Sequence, residues 1–263
     1  MDTAKNAESR RAASLRTLRN GAAAVGTFVG LGSIPATEIC ARAGFEWLLI
    51  DLEHGAGGES VLNAQIHTAA RFGALNLVRV STPDRIHCSR ALDLGADGIM
   101  APRLDTPEDV GDFVRHLHYP PEGDRGVATY HSAAGYGLVN NYFENAMKPL
   151  ALVQIESADA LHYVDSIAAI DGVDVLFVGP RDLSSSIGAT PTLEDPAFAE
   201  ACSRVVKAAT DNDIAAGILA GTTAAIEGYV DLGFTAIAIG SDSSFMAKAA
   251  VHGANTAHSL LAR

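Results

Sequence analysis

Short apolar, β-rich runs alternate with amphipathic stretches of helical length along almost the whole chain, and that alternation constrains the fold more than any other feature. The runs lie at residues 24–29, 47–51, 75–80, 98–101, 150–155, 173–178, 215–219 and 236–240. Most gaps between them hold a segment with apolar residues at helical spacing, such as 35–43, 61–72, 85–94 and 107–117. Strands alternating with helices imply parallel βαβ units, and eight such units imply a closed (β/α)8 TIM barrel. Near-continuous apolar runs such as Val175 to Val178 suit strands buried on both faces. The length of 263 residues suits one barrel, which usually takes about 250 residues. No linker or charge run divides the chain, so one domain over residues 1–263 is expected, with 1–20 as an N-terminal extension.

One gap departs from the pattern. Residues 119–149 contain Pro120, Pro121, several glycines and several aromatics. A loop this long without a clear element is usually functional or disordered, and part of it is expected to fold over the barrel mouth.

Composition removes several classes of function. A net charge of −12 repels phosphate backbones, and beyond the first twenty residues no Lys/Arg cluster offsets it, so no nucleic-acid partner is expected. Cys40, Cys88 and Cys202 are far apart and form neither a disulfide framework nor a thiolate metal site. Residues 1–19 are polar and basic, unlike a secretory signal, and no apolar run approaches the ~20 residues of a membrane span. The expected location is the cytoplasm, with a small-molecule partner and no membrane.

Barrel enzymes build their sites at the C-terminal ends of the strands. Reading only those positions gives Asp51, Glu53 and His54 after the second strand, Arg79 on the third, and Gln154 and Glu156 on the fifth. The sixth runs into Gly179, Pro180, Arg181 and Asp182, the seventh ends at Leu219, and the eighth at Gly240. Glu156 and Asp182 end neighbouring strands and can share one hard cation. Two carboxylates leave positions open for water and a chelating substrate, which suits Mg2+ or Mn2+, with Co2+ or Zn2+ as further candidates. The turn at Gly179 leads into a helix starting near Asp182 or Ser184, whose N–H groups suit a substrate carboxylate or, equally, ordinary capping. A guanidinium at Arg79 needs an anionic partner, either substrate or carboxylate. His54 is placed for acid–base work.

The chain has only four lysines, Lys5, Lys148, Lys207 and Lys248, and none is expected inside the mouth. Schiff-base chemistry is therefore not expected, which leaves carbonyl chemistry assisted by a metal. The run from Gly30 to Pro35 puts proline where a dinucleotide fingerprint needs its third glycine, and neither G-x-S-x-G nor H-E-x-x-H occurs. Gly240-Ser241 supports a rival reading, a barrel acting on a phosphorylated metabolite. A catalytically idle barrel serving as a binding subunit is a rival of another class.

Several of these segments together resemble the HpcH/HpaI family of metal-dependent (class II) 2-oxo-acid aldolases, in the phosphoenolpyruvate/pyruvate barrel superfamily. They are AGFEWLLIDLEH at 43–54, Val78-Arg79, LDLG at 92–95, YPPEGDRG at 119–126, VQIE at 153–156 and VGPRDLS at 178–184. The resemblance implies reversible cleavage of a 4-hydroxy-2-oxo acid to pyruvate and an aldehyde, with oxaloacetate decarboxylation as a side activity. It implies Glu156 and Asp182 as metal ligands, Gln154 beside bound pyruvate, and the backbone after Gly179 as the seat of its carboxylate. Arg79 would stabilise the enolate oxygen, His54 would be the acid–base group supported by Asp51 and Asp93, and Leu219 would meet the aldehyde chain. It further implies a homo-oligomer, a hexamer built from dimers, with the C-terminal helix swapped between subunits. Two departures touch the mouth: the run from Val127 to Tyr136, and Arg181, where a smaller residue often stands.

Asp93 carries a topological expectation of its own. It ends a helical segment that runs back toward the N-terminal face, so within one barrel it lies roughly 15–20 Å, a strand length, from His54. If it supports His54 it must come from a neighbouring subunit; otherwise it caps its helix or pairs locally, for example with Arg90.

Overall fold

A computed structural model describes residues 2–262, so the expected domain limits, Met1 and Arg263, lie outside the described residues. Eight parallel strands close into one barrel in sequence order: β1 Ala24–Val29, β2 Trp47–Asp51, β3 Leu75–Arg79, β4 Gly98–Ala101, β5 Leu150–Ile155, β6 Val175–Val178, β7 Ala215–Ala220 and β8 Ala236–Ser241. The expected TIM barrel is therefore present, with strand ends moved by one or two residues. The largest difference is at β6, which starts at Val175: the Val173 N–H goes back to the Ile170 carbonyl, and only from Asp174, which donates to the Ala151 carbonyl, does the chain run beside β5.

Strand alternation decides what reaches the mouth. Along each strand every second side chain points inward. The lower and middle layers hold Trp47, Leu49, Leu75, Leu77, Leu150, Leu152, Val175 and Phe177. Continued in the same phase, the next inward positions at the C-terminal ends are Asp51, Arg79, Gln154, Gly179, Leu219 and Gly240. All six line one cavity of about 840 Å³ at that end. The intervening residues, among them Ile50, Val78, Val153 and Leu176, pack outward against the surrounding helices.

The helix Asp2–Arg19 lies across the opposite end. Leu18 is buried in the barrel interior, Arg11 is paired with the buried Asp97, and Arg19 meets Asp174 at 3.2 Å. Asp97 also accepts the Asn76 N–H at 2.9 Å, tying this helix to the start of the barrel.

The segment 119–149 does not cover the mouth of its own barrel. The helix Pro107–Leu117 and the start of β5 both lie at the N-terminal end, so the connection starts and finishes there. It packs on the outer helices instead, with Arg125 on Asp93 at 2.8 Å and Ser132 beside His67 at 3.0 Å. It contains a 3-10 turn, Ser132–Gly137, and a short helix, Tyr142–Asn145. At the C-terminus, helix Asp242–Leu261 is anchored through its first turn. Asp242 accepts the Gly30 and Leu31 N–H groups at 3.0 and 3.1 Å, and Phe245 stacks on Phe45. Beyond that turn the helix is exposed along its length.

One close approach is needed to seat the single tryptophan. A Cβ at Gly26 would lie 2.0–2.3 Å from the Trp47 ring, so only glycine permits the indole to fill the barrel floor. Gly26→Ala is therefore expected to destabilise the protein by about 1–3 kcal/mol. Urea unfolding followed by Trp47 fluorescence should show a lower midpoint at unchanged slope; an unchanged midpoint would mean the ring is not seated against Gly26.

Candidate active site

The β2–β3 register places Asp51 and Arg79 directly across from each other at the mouth. Arg79 donates from Nε to Asp51 Oδ1 at 3.0 Å and from Nη2 to Oδ2 at 2.7 Å, a two-pronged pair in which both residues are buried. Its Nη1 lies 3.2 Å from Glu53 Oε2, and its guanidinium carbon stands 5.3 Å over the Phe28 ring. Burial alone would push the Asp51 carboxyl up. Arg79 and two backbone N–H groups, those of His54 and Glu53, outweigh it and hold the group below its ordinary value. Arg79 is likewise raised by Asp51, Glu53 and Glu156 against its own burial. The guanidinium is thus charged, immobilised and open to the cavity along one edge.

The Asp51 carboxylate reaches His54 only through the main chain. Asp51 Oδ1 accepts the His54 N–H at 3.2 Å and the Glu53 N–H at 3.0 Å, which folds the turn after β2. The His54 imidazole itself is 69% exposed at the rim, with Glu53 Oε2 at 3.8 Å. Asp93 is remote from it and pairs with Arg125, with His131 Nε2 at 3.5 Å, so its local partner is Arg125 rather than Arg90.

Across the cavity, β5 presents Gln154 and Glu156. The Gln154 amide donates to Glu156 Oε2, and the Arg103 N–H donates to Oε1 at 2.8 Å. Arg103 holds a positive φ of 56°, which aims its N–H at the carboxylate. Burial raises the Glu156 carboxyl above its usual range, and the like charges of Glu53 and Asp182 raise it further. The helix Pro180–Ser186 begins earlier than expected, because proline occupies its first turn and Gly179 serves as its cap. Gly179 offers no side-chain cap, and Ser184 Oγ instead donates to the Arg181 carbonyl at 3.0 Å. Neither Asp182 nor Ser184 therefore caps this helix. A Cβ at Gly179 would lie 2.9 Å from Gln154 Nε2 and 3.3 Å from Glu156 Oε2, so glycine keeps this floor open.

These features suit a hard cation. Glu156 is a half-buried carboxylate destabilised by desolvation and then by its acidic neighbours, and Gln154 Oε1 is buried without a partner. Among the described residues no cluster of three or more His, Cys, Asp or Glu side chains is gathered for a metal. A cation on Glu156 and Asp182 would accordingly keep most of its positions for water or substrate oxygens.

Two further observations bear on the sequence reading. The turn after β8 uses three of its N–H groups internally: Ser241 N–H donates to Ser244 Oγ, Ser243 N–H to Asp242 and Ser244 N–H to Ser241 Oγ. Such a turn, with a carboxylate inside it, is a poor phosphate cradle. Lys248, expected away from the mouth, lines the cavity. Its helix starts at the top of β8, so its first two turns stand over the opening. Lys248 is exposed there, without the apolar enclosure that activates a Schiff-base lysine.

Comparison with known proteins agrees with this geometry. Residues 24–249 match the family model described as HpcH/HpaI aldolase/citrate lyase. The chain belongs to that family. A hydroxypyruvate/pyruvate aldolase from Paraburkholderia phytofirmans is 38% identical over 231 residues, covering 85% of this chain and 89% of the relative. A 5-keto-4-deoxy-D-glucarate aldolase from Shigella boydii is 35% identical, covering 83% and 85%. A crystal structure of an HpcH/HpaI aldolase/citrate lyase family protein from Burkholderia cenocepacia superposes with a TM-score of 0.88 at 35% identity, covering 94% of this chain and 99% of that one. The protein is an aldolase, a carbon–carbon lyase. Phe28 lines this aldolase's mouth and the Arg103 N–H holds Glu156 without either having been singled out from sequence, while Glu53, named in the strand-end acidic run, meets Arg79.

The Asp51–Arg79 pair makes a stability claim. Removing one partner of a buried pair leaves the other charge uncompensated. Asp51→Ala is expected to cost about 3 kcal/mol, and the apolar double variant Asp51→Leu/Arg79→Met to recover most of that loss. Urea unfolding of the three proteins reads both; an Asp51→Ala loss well under about 1 kcal/mol would show that the pair is solvated.

Proposed function

We propose that the protein is a divalent-metal-dependent pyruvate aldolase that reversibly cleaves a 4-hydroxy-2-oxo acid to pyruvate and an aldehyde. The observation that carries this reading is the buried Arg79 guanidinium sharing one cavity with Gln154 and Asp182, with Glu156 hydrogen-bonded to Gln154. Glu156 and Asp182 are the residues to hold the cation. When bound, it supplies Lewis acidity toward the 2-oxo carbonyl oxygen.

The chain's own groups account for the remaining steps. The carboxylate of the 2-oxo acid lies on the uncapped turn after Gly179, beside Gln154. His54 takes the proton of the 4-hydroxyl at a ring nitrogen. The C3–C4 bond then breaks, the aldehyde leaves, and the bonding electrons pass through C3 to the C2 oxygen. Arg79 donates to that oxygen as charge develops, with its planar fork already fixed by Asp51. One proton added at C3 completes the pyruvate methyl group and balances the hydroxyl proton lost. Oxaloacetate decarboxylation fits the same site because it passes through the same enolate.

The assembly is part of the reading. The Asp242–Leu261 helix leaves Met246, Val251 and Leu260 exposed, and a neighbouring subunit is proposed to cover it by exchange of helices. His54 has an exposed ring and Asp93 is remote within the chain, so Asp93 is proposed to support a neighbour's His54.

Proton NMR of pyruvate in D2O tests the chemistry. Loss of the methyl signal should require Mg2+ or Mn2+, stop on chelation and resist borohydride. Arg79→Lys, which keeps charge but loses the fork, should slow it by about 10²-fold or more. Metal-independent exchange, or a reduced pyruvate adduct on Lys248, would overturn the mechanism. Subunit sharing is tested by refolding His54→Ala and Asp93→Ala chains together. Activity should rise above that of either impaired parent, because some interfaces regain both residues; a mixture no better than its parents would refute sharing.

A further inference from the structure

The connection between helix Pro107–Leu117 and β5 is far longer than its task requires. It uses residues 118–149, where a helix-to-strand link usually takes about two to six. Part of it builds a seat for one carboxylate, that of Asp93. Gly123 permits the first turn of the link, since a Cβ there would lie 2.2 Å from the Arg115 carbonyl oxygen and 2.4 Å from that of His118. That turn delivers Arg125, whose N–H donates to the His118 carbonyl at 2.9 Å. Its guanidinium carbon stands 4.5 Å over the Tyr119 ring, and Nη2 donates to Asp93 Oδ1 at 2.8 Å. His131 approaches the same oxygen. Its Nδ1 accepts the Ala134 N–H at 3.3 Å, so the ring proton sits on Nε2. Nε2 faces Asp93 Oδ1 at 3.5 Å and has no other partner among the described residues.

Helix Arg85–Asp93 gains little from this carboxylate. Asp93 is its last residue, where the negative end of the helix dipole disfavours an anion. Arg125 offsets that cost but engages one oxygen through one nitrogen, and its Nε is buried without a partner. Asp51 differs, because Arg79 takes both of its oxygens and closes the pair. Among the described residues Asp93 Oδ2 has no bond. The Asp93 side chain is 27% exposed, whereas those of Arg125 and His131 are 4% and 9% exposed. A carboxylate fixed from beneath by one oxygen and open at the other is oriented toward a group outside its own chain.

We propose that Arg125 and His131 are positioning residues: they hold the Asp93 carboxylate in the orientation in which its free oxygen meets His54 of the partner subunit. The proposal rests on the shared-site reading above and gives the 118–149 connection a part in the reaction.

The test separates cleavage from enolate formation. Cleavage of 4-hydroxy-2-oxopentanoate and methyl exchange of pyruvate in D2O are measured on the metal-loaded enzyme for wild type, Arg125→Met, Arg125→Lys and His131→Phe. Arg125→Met should lower kcat for cleavage about tenfold, with KM and methyl exchange changed by less than about twofold, because Arg79 and Gln154 stand in the chain's own barrel. His131→Phe should lower it about threefold. Arg125→Lys should recover most of the loss, because a contact made through one nitrogen needs a point charge rather than a fork. Equal losses of cleavage and exchange, or unchanged cleavage in both Arg125→Met and His131→Phe, overturn the proposal. Refolded mixtures read the same claim by geometry. Arg125→Met with His54→Ala should exceed either parent, because some interfaces then take an intact His54 from one chain and an intact Arg125 from the other. Arg125→Met with Asp93→Ala should not, because both defects lie on the same face. A gain in the second mixture refutes the proposal, as does no gain in the first while His54→Ala with Asp93→Ala gains. If that control mixture also fails, the shared-site reading falls and the proposal with it, while methyl exchange still reports on the aldolase reading.

Discussion

The ion pair between Asp51 and Arg79 ties the chemistry of this protein to the closure of its barrel. Neither group could remain charged at such depth alone, since an isolated buried ion pays most of its hydration energy. The register of β2 against β3 sets the two opposite each other, and the planar guanidinium then matches the carboxylate through two parallel bonds. Asp51 uses one of the same oxygens, Oδ1, to fold the turn that carries His54. One carboxylate thus sets the orientation of the guanidinium and the course of the adjoining loop. A one-residue slip of β2 against β3 would turn Asp51 away from the cavity and leave Arg79 without its partner.

Much of the architecture was legible because two periodicities were legible. Helical and strand spacing alternated cleanly enough to count eight units, and the rule that barrel sites sit at strand C-termini selected Asp51, Arg79, Gln154, Glu156 and Asp182. The errors share a cause: periodicity reports that an element exists, but not which end of the barrel its neighbours occupy. Part of 119–149 is expected over the mouth from its length and composition, whereas a connection from a helix end to a strand start belongs at the N-terminal side. Lys248 was set aside as helical, although the first turns of a helix that follows a strand stand over the mouth. Arg103 left no trace in the sequence pattern, because its part is played by a backbone N–H in an uncommon conformation.

The order of charges across the cavity constrains how a substrate can lie. Arg79 occupies one wall, the acidic group of Glu156 and Asp182 the floor beside Gly179, and Arg181 and Lys248 the rim around the end of β7. A substrate with its anionic group on the floor would meet carboxylates there, where burial and then the like charges of Glu53 and Asp182 already raise the Glu156 carboxyl. A chain of net charge −12 can therefore take an anionic substrate, because the field that matters is set within a few ångströms of the cavity wall while the distant surface charges are screened by salt.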